Sequence, residues 1–195
     1  MNRHLRQCGT MLLAMILVLA LLVNPALASS KPHSKHMRRP ISWVKSSETV
    51  PYPELKGKPN LWVKVSLKGN RTYVYSGKKL LYTMYSSAGV YKKDPVTHKM
   101  KSVTPTGTFH ASNIRKDRVY NPNLKLGANY CISWNGDYMF HSIVTTKDPH
   151  HYIKSLANKQ GKAPSSPGCV CLSIADAKWF EHDLPTGTKV VVADN

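Results

Sequence analysis

Acidic residues are scarce in this 195-residue chain: 10 Asp and Glu stand against 28 Lys and Arg, for a formal net charge of +18 at neutral pH. Such a balance attracts polyanions rather than cations. After residue 23 no apolar run is long enough to cross a bilayer. Internal repeats are absent, which excludes solenoid and propeller architectures. No regular alternation of strand and helix signals occurs, so nothing suggests a parallel βαβ sheet. The neighbouring pair His150-His151 has no cysteine or carboxylate set at ligand spacing beside it. A metal centre is therefore not expected, and no cofactor is implied. Cysteine is sparse too, with four positions: Cys8, Cys131, Cys169 and Cys171.

What is present begins with a targeting signal. Arg3, His4 and Arg6 form a cationic start, Met11 to Val23 is unbroken apolar sequence, and Ala26-Leu27-Ala28 offers small residues for cleavage. The run falls short of the ~20 residues a spanning helix needs, and Asn24-Pro25 ends it. Residues 1–28 therefore read as a secretory signal peptide, the only part expected to meet a membrane. A secreted, extracellular or wall-bound protein of this charge has anionic wall polymers, not nucleic acid, as its expected partners. Residues 29–51, rich in Lys, Arg, His, Ser and Pro, read as a basic flexible linker. The folded domain is expected over 52–195. Cleavage leaves three cysteines in an oxidising compartment, an odd number that suggests one pair and one free thiol. Either Cys131 bonds Cys171 and leaves Cys169 free, or Cys131 and Cys171 are small buried residues.

Strand signals dominate the domain. Leu61, Val63, Val65 and Leu67 alternate with polar or amphipathic neighbours, Gly69-Asn70 turns the chain, and Arg71 to Tyr75 and Leu80 to Ser87 continue extended. Residues 89–103 read as an exposed loop, Thr108 to Ile114 as a strand, and 115–127 shows no usable period. Tyr130 to Trp134 and Tyr138 to Val144 flank Asn135-Gly136-Asp137, a hairpin signal. Asp148, Pro149 and Gly161 bound a predicted helix, and Ser173 with Asp176 opens a second over Ile174 to His182. Thr188 to Ala193 is a last strand. The pattern predicts a mainly β domain, an antiparallel sandwich with two short helices.

Chemistry concentrates in Ser165-Ser166-Pro167-Gly168-Cys169-Val170-Cys171-Leu172 and in His141-Ser142. A thiol has a pKa near 8.5 and needs an imidazole or oriented N–H groups before its thiolate is well populated. His141 can take that proton and later protonate a leaving amine. Gly168 removes a side chain just before the sulfur, opening backbone N–H groups to a substrate carbonyl. The implied reaction is acyl transfer through a thioester.

The order His-Ser, then Ser-x-Gly-Cys-Val-x-Leu-Ser-x-x-Asp-Ala-Lys-Trp-Phe, then Gly187-Thr188-Lys189-Val190-Val191-Val192, resembles the YkuD-type L,D-transpeptidase catalytic domain. Upstream pieces sit in matching order at 61–66, 71–75 and 104–109, so the resemblance covers about residues 52 to 193. It implies a β-sandwich of that type, peptidoglycan stem peptides as substrate, Cys169 as nucleophile, and His141 as base held by the Ser142 main chain. Ser166 would bind substrate or steady the turn. Trp134 and Tyr138 would line a peptide cleft or fill the core. Two positions depart from the family's usual pattern: Pro167 stands where His is common, and Cys171 where Arg or Asn is common. Rival readings are an L,D-carboxypeptidase and a wall-binding module with a decayed site. A sortase-like enzyme would want Thr-x-Thr-Cys and a following Arg, and neither is present.

Overall fold

The computed structural model describes residues 35–195. The signal-peptide reading lies outside the described residues. Eleven strands and two helices follow one another as β1 (Leu61–Ser66), β2 (Arg71–Ser76), β3 (Lys79–Ser87), β4 (Tyr91–Lys93), β5 (Met100–Ser102), β6 (Gly107–His110), β7 (Arg115–Asn121), β8 (Leu126–Asn135), β9 (Tyr138–His141), α1 (Lys154–Ala157), β10 (Val170–Leu172), α2 (Ile174–Asp183) and β11 (Lys189–Ala193). The mainly β class with two helices holds. One nine-stranded sheet runs β6-β11-β1-β2-β3-β10-β9-β8-β7, and β4 with β5 forms a separate ribbon.

Two strand pairs differ from the all-antiparallel expectation. β11 lies parallel to β1, and β10 parallel to β9. Residues 142–169, which contain α1, carry the chain from β9 to β10, and α2 then carries it from β10 to β11 on the far side of β1; connections longer than a hairpin permit parallel pairing without βαβ repetition. Ser173 accepts the Asp176 N–H at 3.1 Å and so caps α2 as its sequence predicts. Ala177, Phe180 and Leu184 then enter the main core, where Phe180 meets Phe140 edge-on at 5.4 Å. Arg115 on β7 donates to the carbonyls of Phe180, Glu181 and Leu184, binding a guanidinium to the helix's carbonyl end.

Alternation on β9 and β10 decides which side chains face the site. Phe140, Val170 and Leu172 point into the main core, whereas Cys171 joins Ile143, Val144 and Ala157 in a smaller cluster. Parallel pairing sets Val170 against Phe140 and Cys171 against His141. His141 and Cys171 therefore share the face opposite the main core, and Cys169, two residues before Cys171, shares it too.

The basic segment is not a free linker over its described part. Arg38 N–H bonds the Ser47 carbonyl at 2.7 Å, Thr49 N–H bonds His36 at 2.9 Å, and Ser47 and Glu48 are buried. The cause lies in β3. Of the residues of β3, β10 pairs only with Ser86 and Ser87, so the N–H groups of Thr83 and Tyr85 need other acceptors. Glu48 Oε1 takes the first at 2.7 Å and Ser47 Oγ the second at 2.8 Å. The ordered domain thus begins before residue 52.

Two other expectations change. The helix predicted from Asp148 shrinks to Lys154–Ala157, because Asp148 Oδ1 accepts His150 N–H in a turn and Tyr152 bridges to Thr145. The loop at 89–103 contains the β4–β5 ribbon, and the segment read as irregular contains β7.

Candidate active site

Two turns bring the site together. Asn135-Gly136-Asp137 reverses the chain between β8 and β9, with Gly136 supplying φ +54°. The second turn, Ser165 to Cys169, is clamped from several sides. Ser166 Oγ accepts the Gly168 N–H at 3.0 Å and donates to the Cys169 carbonyl. The Ser166 backbone bonds Ala88 and Val90. Thr104 Oγ1 donates to the Gly168 carbonyl at 2.7 Å and accepts the Gly89 N–H at 2.8 Å. Gly168 has φ +150°, and a Cβ there would lie 2.7 Å from Tyr138 Cε1. Only glycine suits both the dihedral and the contact.

The turn delivers Cys169 to His141. The His141 Nδ1–H donates to the Ser142 carbonyl at 2.6 Å, which leaves Nε2 for the sulfur. Ser142 is held in turn by Asn129, whose carbonyl accepts the Ser142 N–H at 2.9 Å and whose N–H donates to Ser142 Oγ at 3.1 Å. Burial raises the Cys169 pKa, but the hydrogen bond and charge of His141, with the Met139 N–H, outweigh it, so the thiol titrates below its ordinary range. Burial likewise lowers His141, but the Cys169 hydrogen bond and charge and the Ser142 carbonyl reverse the sign, and the imidazole titrates above its ordinary range. Opposite shifts in a contacting pair favour a thiolate beside an imidazolium. Cys169 Sγ also lies 3.5 Å from the Asp137 carbonyl.

The pair opens into a cleft of about 640 Å³. One wall is Tyr138, Met139 and Pro167; the other is built from β7, the 121–124 turn and the start of β8. Lys116 and Asp137 bring the side-chain charges of opposite sign to this cleft. Such a site can form a thiolate, present it to a carbonyl and return a proton to a leaving group.

The sequence-predicted residues divide. Cys169, His141, Gly168 and Tyr138 line the cleft together, and Ser142 supports the imidazole through its carbonyl. Gly168 differs from expectation in one respect: its N–H is taken by Ser166, so its visible contribution is shape rather than a free donor. Ser166 is buried with its hydroxyl fully engaged, and steadies the turn instead of binding substrate. Trp134 is buried in the main core against Phe109 and Phe140, not in the cleft. The proposed Cys131–Cys171 bond is absent; all three described cysteines are free thiols. β9 separates their strands, so their Cα atoms stand about 9.6 Å apart, two strand spacings, beyond the ~7 Å a disulfide tolerates. Burial raises both thiols, Cys131 to about 12.

Sequence reasoning missed Asn129, Thr104, Lys116 and Asp137. Thr104 and Asn129 act through contacts distant in sequence, which no local pattern announces. Asp137 was legible only as part of a turn. Among the described residues, no group of His, Cys, Asp and Glu could hold a metal ion.

The L,D-transpeptidase catalytic domain matches residues 60–192, a span that includes both turns and the Cys169–His141 pair. The chain belongs to this family. YciB of Bacillus subtilis (strain 168), provisionally named an L,D-transpeptidase, is 36% identical over 162 residues, covering 82% of this chain and 78% of that protein. Among solved structures, the fold resembles LD transpeptidase LdtMt1 in complex with imipenem (TM-score 0.51, 23% identity, 69% of this chain and 59% of that one). It also resembles an L,D-transpeptidase from Mycobacterium smegmatis (TM-score 0.51, 22% identity, 69% and 58%). The chain thus spans less than two thirds of the length of these two solved proteins.

Proposed function

We propose that the protein is a secreted L,D-transpeptidase that cross-links peptidoglycan stem peptides through a thioester on Cys169. The observation that carries this reading is the relay Cys169–His141–Ser142 carbonyl at the floor of an open cleft. Its chemistry follows from the geometry. The Cys169 thiolate attacks the carbonyl of the third stem residue, and the His141 imidazolium protonates the departing amine of the terminal residue. Lys116 offers an ammonium to the carboxylates of the stem. An amine of a second stem then attacks the thioester, and His141 takes a proton from it.

The basic surface and the N-terminal targeting pattern suit a chain that works among anionic wall polymers outside the cell. An intact thiol–imidazole contact speaks against a decayed site. Cys171, standing where Arg or Asn is common in the family, is accommodated by burying its thiol beside Ile143, Val144 and Ala157.

The test is incubation of purified protein with disaccharide tetrapeptides, followed by mass spectrometry. The expected products carry the terminal-residue loss and a new link between third residues, and Cys169→Ala abolishes both. Normal turnover by Cys169→Ala would refute the assignment. A carbapenem, the class of ligand in the LdtMt1 complex, is expected to add covalently to Cys169 alone.

A further inference from the structure

The Asp137 carboxylate stands where it works against the nucleophile. The residue lines the cleft, and its carbonyl lies 3.5 Å from Cys169 Sγ. Its negative charge opposes thiolate formation at Cys169. Among the described residues, the carboxylate forms no ion pair and no hydrogen bond. Turn chemistry does not account for it, because Gly136 supplies the positive φ and the Asp137 side chain makes no bond to the turn backbone. In a chain with 28 basic and only 10 acidic residues, an unpaired acid beside the reactive sulfur has no visible return within the fold. A positively charged ligand would supply one.

We propose that Asp137 forms an ammonium-recruiting subsite that draws the primary amine of the acceptor stem to the thioester in preference to water. The proposal rests on the thioester reading above and names its acceptor. Lys116, on the β7 side of the same cleft, gives the site opposite polarity at its two sides, as a donor carboxylate and an acceptor ammonium require. In the transfer step the amine nitrogen bonds the thioester carbonyl carbon, and the C–S bond breaks with its electron pair returning to sulfur. Of the two protons the ammonium gives up, one restores the His141 imidazolium and the other passes to solvent. Enzyme, thiolate and imidazolium are regenerated. Asp137 holds the ammonium close, and a single exposed charge pair of this kind favours capture by about fivefold.

The experiment compares the full chain with Asp137→Asn and Asp137→Glu. Donor tetrapeptide is supplied with an acceptor bearing a free amine, and cross-linked dimer and hydrolysed tripeptide are quantified by mass spectrometry. Acyl-enzyme formation with a carbapenem is timed separately, since it needs no acceptor. Asp137→Asn should lower the dimer-to-tripeptide ratio about fivefold, with Asp137→Glu restoring most of it. Acylation of Asp137→Asn should be no slower than wild type, because an opposing charge has been removed. The advantage of wild type should shrink as salt is added. An unchanged ratio in Asp137→Asn overturns the proposal, as does an acylation rate that falls together with the ratio, which would mark a positioning role. If wild type forms no acyl-enzyme on Cys169, it is the thioester reading that fails, and the subsite falls with it.

Discussion

Ser47→Ala is the sharpest test of how the amino-terminal segment is held. Ser47 Oγ donates to Asp176 Oδ2 at 2.5 Å and accepts the Tyr85 N–H at 2.8 Å, while Tyr52 and Tyr82 also point hydroxyls at Asp176. All of this lies in a buried centre, with Ser47 1% and Asp176 0% exposed. Alanine removes one partner of a buried carboxyl and leaves a buried backbone N–H without an acceptor. Each loss costs about 1–3 kcal/mol, so the two together cost about 3 kcal/mol after partial relaxation. For a domain of this size that lowers Tm by about 6–12 °C. Differential scanning calorimetry or urea unfolding reads the change directly. The partner variant Asp176→Asn sharpens the result, since side chains sharing one network should be non-additive. A Ser47→Ala protein with wild-type Tm would refute the packing and return residues 36–49 to the status of a spacer.

Other predictions concern the site. Cys169 titrates below the ordinary thiol range, so its thiolate appears as pH rises through that depressed pKa, and iodoacetamide should label it at a pH where Cys131 and Cys171 stay silent. His141→Asn removes the two largest influences that lower that pKa and leaves only the Met139 N–H against burial and Asp137, so the labelling curve should move to higher pH. Curves that coincide for wild type and His141→Asn would show that the imidazole does not activate the sulfur. Gly168→Ala places a methyl 2.7 Å from the Tyr138 ring at an unfavourable φ. It should cost about 1–3 kcal/mol of stability and about 100-fold in turnover through displacement of the sulfur, measured as Tm and kcat/KM. Wild-type turnover would exclude the close fit between Gly168 and Tyr138.

Local sequence carried much of the fold. β1 was legible because its alternation sets Val63 and Val65 on the core, β2 because it follows the Gly69-Asn70 turn with Thr, Tyr and Val, and the Asn135-Gly136 dipeptide marked its hairpin. Strand β7 was not legible because it is a sheet edge whose residues roof the cleft or face solvent, leaving no apolar period to read. The predicted helix at 148–161 failed for a different reason: Asp148 and Pro149 are as suited to a turn as to a helix start, and the Thr145–Tyr152 bridge decided between them. Trp134 shows the same limit, since an aromatic on a strand reads identically whether its face meets core or cleft.

Residue order alone determined the chemical pair, the glycine before the sulfur and the capped helix that follows, because each depends on side-chain type and short-range spacing. Tertiary structure decided the rest. It set Cys171 opposite His141 across a parallel strand pair, kept Cys131 and Cys171 two strands apart, and recruited Ser47 and Glu48 to an unsatisfied stretch of β3. It also left Asp137 unpaired beside the sulfur. These outcomes depend on strand order and on which backbone groups lack partners, and both are properties of the assembled sheet rather than of any local stretch of chain.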